Sequence, residues 1–275
     1  METGQAVDSG FLEANGTRFY YEMAGEGEPL LLIHGFNLDN RMWDEQVAAL
    51  AESYKVIRFD LRGFGKTPAT NLPFTLYDDV RAVLAGLGIE KAHVAGLSFG
   101  GMVAQEFALV YPQMVKSLVL ISSGLFGHSR SEQRLRDMEQ FHQLLEAKKT
   151  EEALEQNTRM WFDGPGCAAN TKRAKARELF ASMSRNAFSL PAFGEGLVGL
   201  TPPPKERLEE IKAPTLVIAG ARDYIDFLQI ADELAERIER AEKVILTDSA
   251  HIPPMDQPEV VNELILRFLK QQSDE

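Results

Sequence analysis

A chain of 275 residues with 44% apolar and 25% charged residues can bury one large domain and has an ordinary globular composition. Acidic residues outnumber basic ones by 41 to 29, for a formal net charge of −12, which disfavours nucleic-acid or anionic-membrane binding because no basic patch stands ready to neutralise phosphates. No apolar run approaches the roughly 20 residues a membrane helix needs, and the single cysteine, Cys167, can neither close an internal disulfide nor build a Cys-x-x-Cys metal site. Met1-Glu2-Thr3-Gly4-Gln5 carries neither a basic nor an apolar signal region, so a reducing, cytoplasmic setting is expected.

Residues 11–15 and 17–23 read as strands joined at Asn15-Gly16, a dipeptide that favours a tight hairpin. Residues 29–34 follow as a continuous apolar run, the pattern of a strand buried on both faces. Similar runs recur at 55–60, 92–97, 115–122, 215–220 and 243–247. Thr75-Leu76-Tyr77-Asp78 has the form of a capping box and predicts a helix ending near Gly88. Another helix is expected after Ser98, where Gly100, Ala104 and Ala108 form a small-residue stripe suited to close packing on the sheet, and a last one from near Pro258. This alternation predicts an α/β fold with a mostly parallel sheet of eight strands, flanked by helices.

The alternation stops between about residues 125 and 204. Polar-rich helical stretches at 131–149, 151–161 and 171–185 are followed by Thr201-Pro202-Pro203-Pro204. The expected organisation is a core of residues 1–124 and 205–275 with a helical cap, 125–204, inserted between two core strands. Met160, Trp161, Phe162, Phe180, Met183, Phe188 and Phe193 are apolar cap positions able to line a pocket, though most of them are expected to pack the cap's own interior.

The segment with chemical content is Gly96-Leu97-Ser98-Phe99-Gly100, a G-x-S-x-G turn between a buried strand and a helix. Such a turn pushes the serine clear of the sheet and sets it at a helix N-terminus, where developing negative charge is favoured. A serine hydroxyl is a poor nucleophile near neutral pH and needs a base, itself oriented by a third group. Of five histidines, His251 follows the last strand and so falls on the sheet edge that carries Ser98. Asp223 follows the 215–220 strand and is the expected orienting acid, with Asp226 as its substitute; Asp248 is expected to cap or turn its loop. The order Ser98, Asp223, His251, each at a strand end, is that of a nucleophile-elbow triad. His93 reads as structural, and His128 and His142 fall in the cap, where surface and substrate-contact roles are both open. Oxyanion donors are expected from the backbone N–H groups of Phe99 and, in the His34-Gly35-Phe36-Asn37 loop, of Phe36, with Gly35 permitting an unusual backbone and His34 bracing the loop. Phe36, Phe99, Trp161 and Ile252 are the expected substrate contacts.

With these motifs the chain resembles the α/β-hydrolase superfamily almost end to end. Asp60-Leu61-Arg62-Gly63-Phe64-Gly65-Lys66-Thr67 is similar to the family's D-x-R-G-x-G-x-S turn, with Thr67 for serine, and the His251 loop is similar to its terminal histidine loop, with Ala250 where glycine is common. The likeness is to small carboxylesterases and 3-oxoadipate enol-lactonase-like enzymes. It implies hydrolysis of small or medium carboxylic esters or lactones, a helical cap over the pocket, a small-molecule substrate, and no metal or organic cofactor. Ser98 turns the expectation away from haloalkane dehalogenases and epoxide hydrolases, which use aspartate at the elbow, and Phe99 from prolyl iminopeptidases, which usually carry tryptophan there. Carbon–carbon bond hydrolases, cofactor-free perhydrolases or haloperoxidases, and non-catalytic small-molecule receptors of the same fold stay open.

Overall fold

The computed structural model describes residues 7–191 and 196–273. The N-terminal residues Met1 to Gln5 and the cap position Phe193 lie outside the described residues. Strands β1 (Asp8–Ala14), β2 (Thr17–Ala24), β3 (Glu28–Ile33), β4 (Tyr54–Phe59), β5 (Ala92–Leu97), β6 (Val115–Ile121), β7 (Thr215–Gly220) and β8 (Ala241–Leu246) form one eight-stranded sheet in the order β1-β2-β4-β3-β5-β6-β7-β8. β1 and β2 pair antiparallel around Asn15 and Gly16, both at positive φ (44° and 74°), and β2 pairs antiparallel with β4; the remaining pairs are parallel. β3 lies between β4 and β5, so the winding direction reverses there. In such a sheet the crevice at the carboxyl ends of the strands flanking the reversal is the natural ligand site.

The helices are α1 (Asp44–Leu50), α2 (Leu76–Gly86), α3 (Phe99–Val110), α4 (Glu132–Glu146), α5 (Thr150–Thr158), α6 (Ala174–Ser189), α7 (Ile225–Arg237), a short α8 (Pro253–Asp256) and α9 (Pro258–Ser273). The continuous apolar strands follow from burial on both faces. Leu31, Ile33, Val94, Leu120 and Val217 pack with Val83, Val103, Phe107 and Leu234 of α2, α3 and α7. Their sequence neighbours Leu30, Leu32, Ala95, Val119 and Leu216 pack with Leu50, Ile265 and Phe268 of α1 and α9. Full burial of each such leucine or isoleucine contributes about 1.5–3 kcal/mol. β8 departs from the expected doubly buried pattern: it pairs only with β7, and as an edge strand it leaves Lys243 and Ile245 exposed.

Thr75 caps α2 as its sequence predicts, accepting from Asp78 N at 3.3 Å and donating to Asp78 Oδ2 at 2.6 Å. The Asp60-to-Thr67 turn is held through Asp60, which accepts from Asn40 N (2.9 Å), Asn40 Nδ2 (2.8 Å) and Lys66 N (2.8 Å). The hydroxyl oxygen of Thr67 accepts from Tyr20 N at 3.0 Å, a bond either serine or threonine can supply.

Helices α4 to α6 lie between β6 and β7 in the chain, and α5 continues into a π-helical turn, Arg159–Asp163, that presents Trp161. Phe162, Phe180 and Met183 are buried in the same cluster, and the Phe188 ring packs tilted against that of Phe141, 5.4 Å between centroids. The segment is pinned at both ends. Phe74 N donates to Gly196 O and Val198 N to Phe74 O, each at 2.8 Å, while Leu200 N donates to Glu106 Oε1 at 3.1 Å. On α4, Arg134 pairs with Asp226 (2.6 Å) and Asp137 accepts from the Tyr224 hydroxyl (2.8 Å).

Candidate active site

Ser98 stands between the end of β5 and the start of α3 at φ 52° and ψ −108°, a strained backbone conformation for a residue other than glycine. The surrounding chain over-determines it: Ser98 N donates to Ile121 O at 2.8 Å, and its carbonyl accepts from Met102 N (3.1 Å) and Gly124 N (3.2 Å). Space dictates the flanking glycines. A Cβ on Gly96 would lie 2.3 Å from the Gly100 carbonyl oxygen, and one on Gly100 would lie 2.2 Å from that of Ile33 in β3.

The three strand-end residues Ser98, Asp223 and His251 meet. His251 Nε2 lies 2.8 Å from Ser98 Oγ, and His251 Nδ1 lies 2.6 Å from Asp223 Oδ2. The second Asp223 oxygen accepts from Tyr224 N at 2.7 Å, which fixes the carboxylate's orientation. With Nδ1 donating to a buried carboxylate, Nε2 is the nitrogen left to accept from the serine hydroxyl. Asp226 does not join this chain, because Arg134 holds it. Burial pushes the Asp226 carboxyl up, but hydrogen bonding by Ser131 and the Arg134 guanidinium outweighs burial and leaves its pKa below the usual value. Asp248 sits at the surface, paired with Arg222 at 2.5 Å.

A cavity of about 570 Å³ opens over Ser98. All four expected contacts, Phe36, Phe99, Trp161 and Ile252, line it, together with Leu97, Met102, Met138, Phe141, Met160, Phe180 and Phe227. Of the cap residues singled out in the sequence, Met160, Trp161 and Phe180 reach the cavity; Phe162, Met183 and Phe188 are not part of its wall. The Phe36 and Phe99 rings meet edge to face at 5.5 Å. Phe227 and Arg134 were not legible as site residues. Each falls on a helix face at ordinary core or surface spacing, and only the packing of α4 against α7 brings them to the cavity.

The loop after β3 differs in detail from expectation. Gly35 is not at positive φ; the left-handed residue there is Asn37 at φ 58°. A Cβ on Gly35 would lie 3.1 Å from Leu97 Cδ2, a tight contact that the leucine side chain would have to yield to. His34 braces the loop: its Nε2 accepts from Leu61 N (2.9 Å), so Nδ1 carries the proton and donates to Gly35 O (2.8 Å). Burial lowers its pKa and so favours the neutral ring that this tautomer needs. His93 is likewise structural, between Ser117 Oγ (2.8 Å) and Glu28 Oε2 (3.2 Å). His128 and His142 both line the cavity. Cys167 is an exposed thiol, and among the described residues no group of three or more His, Cys, Asp or Glu side chains is placed to hold a metal ion. No described helix is long and apolar enough to cross a membrane.

The chain is similar to known proteins over almost its whole length. The chain is 27% identical over 259 residues to the AB hydrolase superfamily protein YisY of Bacillus subtilis, covering 90% of this chain and 94% of that one. A solved thermophilic esterase from Thermogutta terrifontis is 26% identical with a TM-score of 0.76, covering 96% of this chain and 99% of that one. Est816, solved as an N-acyl homoserine lactone degrading enzyme, is 25% identical with a TM-score of 0.75, covering 94% and 100%. The family model for the alpha/beta hydrolase fold matches residues 28–258, and the chain belongs to that family.

Proposed function

We propose that this chain is a serine hydrolase of small or medium carboxylic esters or lactones. The observation that carries the reading is the continuous hydrogen-bonded chain from Ser98 through His251 to Asp223 beneath an apolar cavity. In this reading His251 Nε2 takes the proton as Ser98 Oγ attacks the acyl carbon, and Asp223 stabilises the imidazolium that forms. The Phe36 and Phe99 N–H groups hold the oxyanion at the N-terminus of α3; one such donor is worth about 10²–10³ in turnover. His251 returns the proton to the leaving alcohol, and water repeats the attack on the acyl-enzyme. Trp161, Phe36, Phe99 and Ile252 contact the substrate, and residues 125–204 act as a cap on a core of 1–124 and 205–275. The chemistry asks for no metal or organic cofactor, and a cytoplasmic setting suits it. The esterase and lactone-degrading likenesses support the bond type.

The test is turnover of a panel of p-nitrophenyl esters and lactones by wild type and Ser98→Ala. Multiple turnover abolished by the substitution is the expected result. No turnover across the panel, or turnover that survives Ser98→Ala, overturns the reading.

A further inference from the structure

The Asp223 backbone is tied to the core by its N–H, which donates to Gly220 O at 3.2 Å, but the aim of its carboxylate depends on the residue that follows. Oδ2 faces His251 Nδ1 at 2.6 Å, and Oδ1 accepts from Tyr224 N at 2.7 Å. A carboxylate can turn away from an imidazole unless its second oxygen is anchored, so whatever places Tyr224 also places the acid.

Helix α4 places Tyr224. The tyrosine is 1% exposed, and its hydroxyl donates to Asp137 Oδ2 on α4 at 2.8 Å. Two residues further on, Asp226 pairs with Arg134 of the same helix at 2.6 Å. Arg134, Asp137, Met138 and Phe141 fall at i, i+3, i+4 and i+7, the spacing of one helix face. Met138 and Phe141 line the cavity over Ser98, while Asp137 and Arg134 grip the residues after Asp223. The Tyr224 ring also meets Trp161 edge to face at 5.4 Å, the ring that lies 4.7 Å from His251. Burial, and after it the bond to Asp137, pushes the Tyr224 phenol's pKa up, so the hydroxyl stays a donor throughout the neutral range. A hydrogen bond accepted by a carboxylate is stronger than one between neutral groups.

We infer that Asp137 is a positioning residue for the acid: through the Tyr224 hydroxyl it holds the Tyr224 N–H against Asp223, so that α4 is at once a wall of the cavity and part of the mount of the triad. The inference rests on the hydrolase reading for what the triad does, but the mount has a readout that needs no turnover.

The experiment compares wild type with Tyr224→Phe, Asp137→Ala, Asp137→Asn and the double variant Tyr224→Phe/Asp137→Ala. Tyr224→Phe removes a single oxygen atom, and Asp137 is partly exposed, so losing its partner strands no buried charge. Two quantities are read: kcat and KM on a neutral p-nitrophenyl ester, and the far-downfield proton NMR signal of the His251 Nδ1–H held against Asp223, identified by its absence from His251→Ala. Tyr224→Phe and Asp137→Ala are each expected to move that signal upfield and to lower kcat on the order of tenfold, with a smaller change in KM. The double variant should match the single ones, and Asp137→Asn, which keeps an acceptor oxygen for the hydroxyl, should retain most of the wild-type behaviour. A merely structural contact would lower stability in urea without moving the signal. An unmoved signal in both single variants overturns the mount, and leaves the hydrolase intact if wild type turns esters over. Losses that multiply in the double variant also overturn it, because the two side chains would then act separately. A signal displaced in Tyr224→Phe and Asp137→Ala and restored in Asp137→Asn, in a protein without turnover, overturns the hydrolase reading and keeps the mount.

Discussion

Phe227, on the helix that follows Asp223, packs its ring 4.2 Å from the His251 imidazole, centroid to centroid, at 56°. Trp161, from the π-helical turn after α5, reaches the same imidazole at 4.7 Å. The histidine is only 3% exposed, so these rings, with the bond to Asp223, set its orientation between acid and serine. Phe227→Ala removes one wall and opens a cavity at the base. We expect a fall in kcat larger than the rise in KM, because a misaimed base weakens the transition state more than ground-state binding. Steady-state kinetics on a neutral ester check this; an unchanged kcat with a raised KM would make Phe227 a substrate contact alone.

Of Asp223, Asp226 and Asp248, the three aspartates weighed as partners of His251, only Asp223 touches it. Asp223→Asn keeps the shape but replaces an acceptor with an amide that can stabilise the wrong tautomer, a change worth about 10⁴ in kcat in a serine triad. Asp248→Asn alters a surface pair with Arg222 and is expected to leave kcat unchanged. Parallel kinetics of the two variants decide the assignment: equal losses would sink it.

The topology of the site was legible because strand ends are legible. Ser98, Asp223 and His251 are far apart in the chain, yet each follows an apolar strand run, and a parallel sheet brings such ends to one edge. Gly96 and Gly100 were readable as the mark of a tight turn. The loop after β3 is less legible. A glycine signals either positive φ or close approach, and at Gly35 it signals close approach to Leu97, while Asn37 takes the left-handed conformation. For β8 the run Val244-Ile245-Leu246 predicts double burial, because three apolar residues in a row look alike at the centre and edge of a sheet. The cavity wall was the least legible part, since Arg134, Met138 and Phe141 reach it only through the packing of α4 over the core.

Burial of two histidines gives the fold a pH dependence of definite sign. His34 and His93 both have pKa values lowered from 6.5, chiefly by burial. Each therefore takes up a proton less readily in the fold than its unfolded counterpart, which does so below about pH 6.5. The unfolded state binds more protons there, so stability is fully present above that value and is lost as pH falls, at up to about 1.4 kcal/mol per pH unit for each titrating site. His34 makes the case plainly, since a proton on Nε2 would face the Leu61 N–H that it now accepts. Asp60 opposes at lower pH, because burial raises its carboxyl pKa and favours its protonated form in the fold. Urea unfolding between about pH 7.5 and 5.5 should show stability falling on acidification; a flat or rising curve would count against these assignments.

The turn from Asp60 to Thr67 is anchored by Arg62, whose Nε and Nη2 bond Asp79 at 2.8 and 2.6 Å and whose Nη2 also donates to Asn15 O at 2.7 Å. Side-chain exposure is 2% for Arg62 and 0% for Asp79, so the pair is desolvated. The guanidinium also lies 4.7 Å from the centre of the Phe74 ring, the residue that pins the segment closing the cap region. Asp79→Ala would strand a buried cation and is expected to cost about 3–5 kcal/mol, whereas Asp79→Ala with Arg62→Met should cost less than the sum of the single changes, since no charge is then left unpaired. A double-mutant cycle by urea denaturation reads both quantities. Additive losses would mean that the two side chains act independently, leaving the turn and the hairpin at Asn15 joined by something other than this ion pair.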